Sequence, residues 1–408
     1  WGQMGALLQL GLKLNNFSIA NLLKKNKDHK GFLPIGDGET MSLNAQTNGK
    51  YYQSYGLQYA TNWFGGKRPI QFTLGANFSK STDLNSSYYN RSYMENYYNY
   101  MYGVGNYNYN NYENYLDPDK YIQIWGFYAG WGKRLRWPDD YFQLSLQLSY
   151  QRYILKNWRY FFVMSNGTAN NLSLNITLNR SSTDNQLYPR TGSEFSASLS
   201  ITPPWSKFDK KDYKHLANDR FSATYQEEQQ EKYRWVEYHK WKFKARTFTA
   251  LNNGNKCFVL MTRIEFGLLG SYNKYKKSPF ETFYMGGDGM SGYSSNYAQE
   301  TIGLRGYENG QLTQHGEGYA YERMTLELRY PFLLGNTTIY GLGFVEAGNA
   351  WTETSKFNPF DVKRSAGIGV RIFLPMVGMM GIDWAYGFDK VFGKRGGSQF
   401  HFILGQEF

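Results

Sequence analysis

Side chains that could do chemistry are few in this chain, and their spacing suits catalysis poorly. Gly287-Asp-Gly-Met-Ser-Gly292 matches G-x-G-x-x-G, the pattern with which a glycine turn brings a phosphate onto a helix N-terminus. No helix or βαβ unit follows it, so it reads as a flexible loop. Five His and one Cys, Cys257, show no H-E-x-x-H or C-x-x-C spacing, so neither a metal site nor an intrachain disulfide is implied. No G-x-S-x-G elbow holds a nucleophile, and no catalytic carboxylate pair can be picked out by spacing. The residues indicate no enzyme and call for no cofactor. What stands out is Leu304-Arg305-Gly306-Tyr307, inside a long connection. Its guanidinium is either a solvated charge or, if enclosed, one whose donors need matching acceptors.

The elements that would position this arginine are strands. In Phe142-Gln-Leu-Ser-Leu-Gln-Leu-Ser-Tyr150 the apolar residues fall at alternate positions, with Gln and Ser between them. Successive strand side chains point to opposite faces, so one face is apolar and the other polar. Asn171 to Leu178 repeats the pattern, and so does the C-terminus, with Phe400, Phe402, Leu404 and Phe408 on one side. About sixteen strands are expected. They are a stub at Trp1, then 6–17, 39–47, 52–63, 69–80, 121–132, 141–155, 171–182, 193–203, 233–251, 257–272, 321–334, 337–350, 362–375, 378–388 and 398–408. Long connections at 81–120, 156–170, 204–232 and 273–320 alternate with short ones, and only 18–38 breaks the alternation. Many of the strands are longer than those of soluble sheets. Short turns on one rim and long loops on the other are the pattern of an all-β, antiparallel transmembrane β-barrel.

Composition allows that reading. The 408 residues are 41% hydrophobic and 19% aromatic, with 37 Tyr and 43 Gly, and the mean hydropathy is -0.62. Ala366 to Phe388, the most apolar stretch, contains Arg371, Pro375 and Asp383 and is no membrane helix. A barrel needs only half its strand positions apolar; a soluble Tyr-rich β-sandwich fits the bare composition equally well. The net charge of +12 comes from scattered basic residues, without a block that would read nucleic acid. Loops facing anionic lipid head groups account for it as well. Segment 88–115, with eleven Tyr, reads as a Tyr/Asn-rich surface loop.

Several segments resemble the Omp85 family of outer-membrane insertase barrels. The R-G-Y tip at 305–307 is similar to that family's sixth-loop motif, and Pro279 to Gly287 to its approach. Tyr188-Pro-Arg-Thr-Gly192 resembles a periplasmic turn of the family. Arg364 to Arg371, Gly381 to Gly387 and Gln399 to Phe408 resemble its last three strands. The resemblance is specific over 279–408 and looser upstream, and Ser291 to Ile302 is an insertion relative to it. It implies that connection 273–320 folds inward and that Arg305 pairs with wall carboxylates, Glu327 and Glu346, with Phe344 beside them. Parity places Glu327 opposite the lipid-facing Leu326 and Leu328. It further implies a seam at the last strand, marked by Phe400, Phe402, Gly405 and Phe408, with Gly405 as a hinge.

By the same resemblance, residues 1–408 are one barrel in the bacterial outer membrane. The periplasmic POTRA domains and most of the first strand are expected upstream, so the seam partner of 398–408 is short or missing. The implied function is insertion and folding of outer-membrane β-barrel proteins. Expected partners are unfolded outer-membrane proteins, periplasmic or lipoprotein assembly subunits, and lipid and lipopolysaccharide, with no nucleic acid. The alternatives are an Omp85-type secretion pore or translocation-assembly protein, and a passive porin.

Overall fold

The period-two segments form strands. A computed structural model describes residues 8–23, 35–66, 70–84, 116–158, 164–216, 221–254, 256–289, 300–313, 317–375 and 378–404. In chain order the strands are β1 (Leu8–Phe17), β2 (Glu39–Asn48), β3 (Tyr52–Thr61), β4 (Ile70–Leu84), β5 (Leu116–Arg134), β6 (Phe142–Lys156), β7 (Gly167–Ser181), β8 (Gly192–Ile201) and β9 (His239–Ala250). There follow β10 (Val259–Gly270), β11 (Phe283–Met285), β12 (Glu300–Ile302), β13 (Ala320–Leu333), β14 (Thr338–Trp351), β15 (Lys363–Leu374), β16 (Gly378–Val391) and β17 (Lys394–Leu404). Fifteen of them form one antiparallel sheet in chain order; β11 and β12 pair with each other, parallel, inside the connection from β10 to β13. The sixteenth expected strand, the stub at Trp1, lies outside the described residues. So do the Tyr-rich segment 88–115, Gly405 and Phe408. Among the described residues no helix is long and apolar enough to cross a membrane.

Several strand boundaries differ from the sequence expectation. β5 begins at Leu116 and continues through Pro118, where polar residues suggested a loop. Residues 233–238 are not strand, because Tyr225–Tyr233 is helical and β9 starts only at His239. β16 runs on to Val391 and β17 starts at Lys394, where residues 389–397 were expected to connect them. Phe392 and Gly393, with φ of 48° and 83°, make a two-residue turn whose twist suits a tight hairpin.

The chain divides into two compact units. The first comprises Trp1–Lys133, Leu146–Leu174 and Trp205–Val236. Here Leu43 lies opposite Leu12 and Leu57 in one exposed apolar row. The rings of Tyr150, Trp205 and Trp235 pack at tilted angles beside the short helix Trp205–Phe208.

The second unit comprises Arg134–Ser145, Asn175–Pro204 and Glu237–Phe408. Its sheet is inverted relative to a water-soluble one. Leu326 on β13 is 48% exposed, Ile368 on β15 63% and Phe400 on β17 68%, whereas Glu346 is 3% and Asp383 0% exposed. Apolar side chains outside and charges enclosed is the arrangement of strands that face hydrocarbon. The enclosed face is not uniformly wet, however. Near the turns at 182–191 and 251–258, an apolar cluster forms around Val259, Met261, Tyr340, Leu342 and Phe344. Tyr188 caps it, donating from its hydroxyl to the carbonyls of Cys257 (3.0 Å) and Arg329 (3.2 Å).

Candidate functional site

The connection between β10 and β13 packs onto the enclosed face of the second unit. The backbone N–H of Gly286 donates to the carbonyl of Ile302 (2.9 Å), and that of Gly287 to the carbonyl of Leu304 (3.2 Å). Gly287, expected to open a flexible loop, is therefore paired backbone. Its φ is 75°, and a Cβ there would lie 1.6 Å from the side-chain oxygen of Asn309, so close packing explains the glycine. Residues 290–292 of that motif lie outside the described residues. The pairing fixes Leu304, fully buried, and aims Arg305 at the wall.

Arg305 is enclosed, and three carboxylates receive it. Its Nη2 donates to Glu346 (2.7 Å) and Glu327 (2.8 Å), its Nη1 to Asp383 (2.9 Å), and its backbone N–H to the second oxygen of Glu346 (2.9 Å). The guanidinium carbon lies 3.4 Å from the ring centre of Phe344, a cation on an aromatic face. Burial opposes the charge of Arg305, but Glu346, Glu327 and Asp383 outweigh it and hold the guanidinium well above the ordinary arginine value. Each carboxylate also has an arginine of its own. Arg323 reaches Glu346 (2.8 Å), Arg329 reaches Glu327 (2.6 Å), and Arg371 reaches Asp383 (2.5 Å). Arg305 is thus the shared centre of a network in which four guanidinium groups meet three carboxylates.

The sequence had named Arg305, Glu327, Phe344 and Glu346, and the structure brings these four together. It adds Asp383, Arg323, Arg329 and Arg371. Tyr307 is buried; its hydroxyl donates to the carbonyl of Arg364 (2.7 Å), and burial pushes that hydroxyl up to about 12. Phe400 and Phe402 stand away from the network on the exposed face, but His401 between them is enclosed and accepts the N–H of Gly306 (2.9 Å).

A second anchor went unnoticed in the sequence. Lys240, Lys242, Lys244 and Arg246 alternate along β9 with Trp241 and Phe243, and every one of the four is matched. Lys240 meets Glu281 (3.1 Å) and Glu300 (2.7 Å), Lys242 meets Glu300 (2.8 Å), Lys244 meets Glu265 (3.4 Å), and Arg246 pairs with Glu194. Glu281 and Glu300 belong to the inward-packed connection, so β9 holds its base while the Arg305 network holds its tip. Burial raises the Glu300 carboxyl, but Lys240 and Lys242 outweigh that and hold it at about 2. Among the described residues no group of three or more His, Cys, Asp or Glu is arranged to hold a metal ion.

The sequence profile of the Omp85 superfamily domain matches residues 35–408. The chain belongs to the Omp85 superfamily. The match extends the Omp85 likeness well upstream of the 279–408 stretch that carried it in the sequence. The fold is that of a solved structure, BamA from Haemophilus ducreyi lacking POTRA domains 1–3, at TM-score 0.58 and 15% identity over 98% of this chain and 67% of that one. CdiB from Escherichia coli aligns at TM-score 0.49 and 9% identity, over 97% of this chain and 58% of the other. CdiB from Acinetobacter baumannii aligns at TM-score 0.42 and 9% identity, over 89% and 52%. No curated protein matches the sequence. The Omp85 chain is thus all-β, with the antiparallel strand order and apolar outer row of a transmembrane β-barrel.

Proposed function

We propose that this Omp85 chain is the barrel of an insertase that folds β-barrel proteins into the bacterial outer membrane. The observation that carries the reading is the Arg305 tip, enclosed by three carboxylates from β13, β14 and β16. A passive pore has no use for so heavily matched a plug, whereas a machine that loads one of its end strands needs a brace for the strands beside it. In the proposed cycle an incoming strand adds to an end strand of the order and trades one set of backbone hydrogen bonds for another. The step is energy-free and involves no enzyme chemistry or nucleotide, because a substrate strand that closes into lipid satisfies its backbone and buries its apolar row. Its substrates are unfolded outer-membrane proteins. Periplasmic or lipoprotein subunits deliver them, and lipid and lipopolysaccharide surround the exposed row.

The test is reconstitution of the full-length protein in liposomes with a urea-unfolded outer-membrane barrel as substrate. Folding is read by resistance of the product to heat and protease. Acceleration over empty liposomes, without nucleotide and weakened by Arg305→Ala, is expected. Steady conductance in planar bilayers with no acceleration of folding would overturn the reading in favour of a porin.

A further inference from the structure

The R-G-Y tip touches more than the arginine's carboxylates. Gly306 is pressed into a notch on the hairpin formed by β16 and β17. With φ at 89°, a Cβ on Gly306 would lie 2.8 Å from the backbone nitrogen of Gly387. A Cβ on Gly387 of β16, or on Gly396 of β17, would lie 2.3 Å from the Gly306 carbonyl oxygen. One on Gly396 would also reach the Tyr307 ring at 2.8 Å. Three glycines therefore let backbone meet backbone. Within the same contact His401 of β17 accepts the Gly306 N–H through Nε2, which places the ring proton on Nδ1. In the strand register His401 stands opposite Asp383, the carboxylate shared by Arg305 and Arg371. Further along β17, Lys394 donates to Glu308 (2.6 Å), and its carbonyl accepts from Gln311 (3.3 Å).

We infer that His401 and Gly396 are the positioning residues through which the loop tip seats the last strand, so that docking of Gly306 and seating of β17 are one event. Phe400 and Phe402 give β17 its apolar outer row, but that row cannot hold the strand against the tip. The enclosed face can, through one hydrogen bond and one close approach of backbones. The consequence for insertion rests on the reading proposed above: withdrawal of the tip would release the strand that a substrate must engage.

The test is amide hydrogen exchange over residues 398–404 of the full-length protein in liposomes. His401→Leu removes the acceptor, and Gly396→Ala adds one methyl group against the Gly306 carbonyl without touching the arginine. Each is expected to speed exchange in that segment about tenfold, the size expected from one lost buried hydrogen bond. His401→Gln, which can present an oxygen near the Nε2 position, should restore most of the protection. Gly343→Ala serves as control, since a Cβ there meets nothing within 4 Å. Unchanged exchange in both variants, or equal acceleration across β13 to β15, would overturn the inference. Insertion activity is measured in parallel: faster exchange with unaltered insertion leaves the latch standing and counts against the insertase reading, whereas unchanged exchange removes the latch whatever insertion does.

Discussion

Replacing Arg305 and replacing Glu346 should have unequal effects, and the network sets the order. Arg305→Ala leaves no carboxylate alone, because Glu346 keeps Arg323, Glu327 keeps Arg329 and Asp383 keeps Arg371. Three guanidinium groups then face three carboxylates, and the wall is balanced. The loss is confined to the tip's hydrogen bonds and its contact with Phe344, about 1–3 kcal/mol after the water the tip regains. Glu346→Gln does the opposite. Glu346 accepts from the Arg305 side chain and backbone, from Arg323 and from Thr325. Without its charge, four guanidinium groups face two carboxylates in an enclosed site, which costs about 3–5 kcal/mol, as for other buried pairs broken on one side. Guanidinium unfolding of both variants in lipid, followed by tryptophan fluorescence and by heat-dependent gel mobility, measures the difference. Arg305→Ala should keep its strand content and remain the more stable variant by roughly 2 kcal/mol, the difference between the midpoints of those two ranges. If it is as unstable as Glu346→Gln or worse, the second arginines are not effective partners and the shared-centre account fails.

Three other outcomes follow. Leu326→Arg on the exposed row of β13 should cost about 2–4 kcal/mol if that row meets hydrocarbon, and a change near zero by the same unfolding assay would mean that it faces water. Tyr188→Phe should lose about 1–2 kcal/mol with the hydroxyl's two carbonyl acceptors. Tyr188→Ala should in addition open Cys257, the sole thiol, to maleimide about tenfold faster or more; equal labelling rates would show that the turn covers nothing. Glu300 has its folded value near 2, below its ordinary 4.5. Its stabilisation is therefore fully present above 4.5 and disappears as pH falls toward 2. Wild type should lose more stability than Glu300→Gln between pH 5 and pH 2.5, and parallel losses would deny the carboxylate its role in anchoring the loop.

Strand existence was legible because the period-two pattern is local: Leu326, Glu327 and Leu328 each declare a face without reference to any other part of the chain. Although only Glu327 and Glu346 were expected as wall partners, in the structure Asp383, between Ile382 and Trp384, and His401, between Phe400 and Phe402, take the enclosed face by the same alternation. Their partner could not be read that way, since Asp383 lies 78 residues from Arg305 and only the packed connection brings them together. The basic ladder from Lys240 to Arg246 carries no local signal of pairing, because its carboxylates come from four separate segments. The apolar cluster under Tyr188 was hidden for another reason. Val259, Met261 and Leu342 lie in stretches with apolar residues on both faces, where alternation carries no signal.

Enclosing so many charges on one face also polices the assembly of the sheet itself. β13 pairs with β14 so that Thr325 stands opposite Glu346, and Glu327 opposite Phe344. Sliding β13 by a single residue would swap its two faces. Arg323, Glu327 and Arg329 would then enter hydrocarbon, at about 2.5–3.5 kcal/mol for each charge. Neighbouring shifted alignments are thus separated from the native one by a gap comparable to the stability of a whole small domain, roughly 5–15 kcal/mol. A chain that grips its loop with buried ions in this way also carries its own proofreading against mispaired strands.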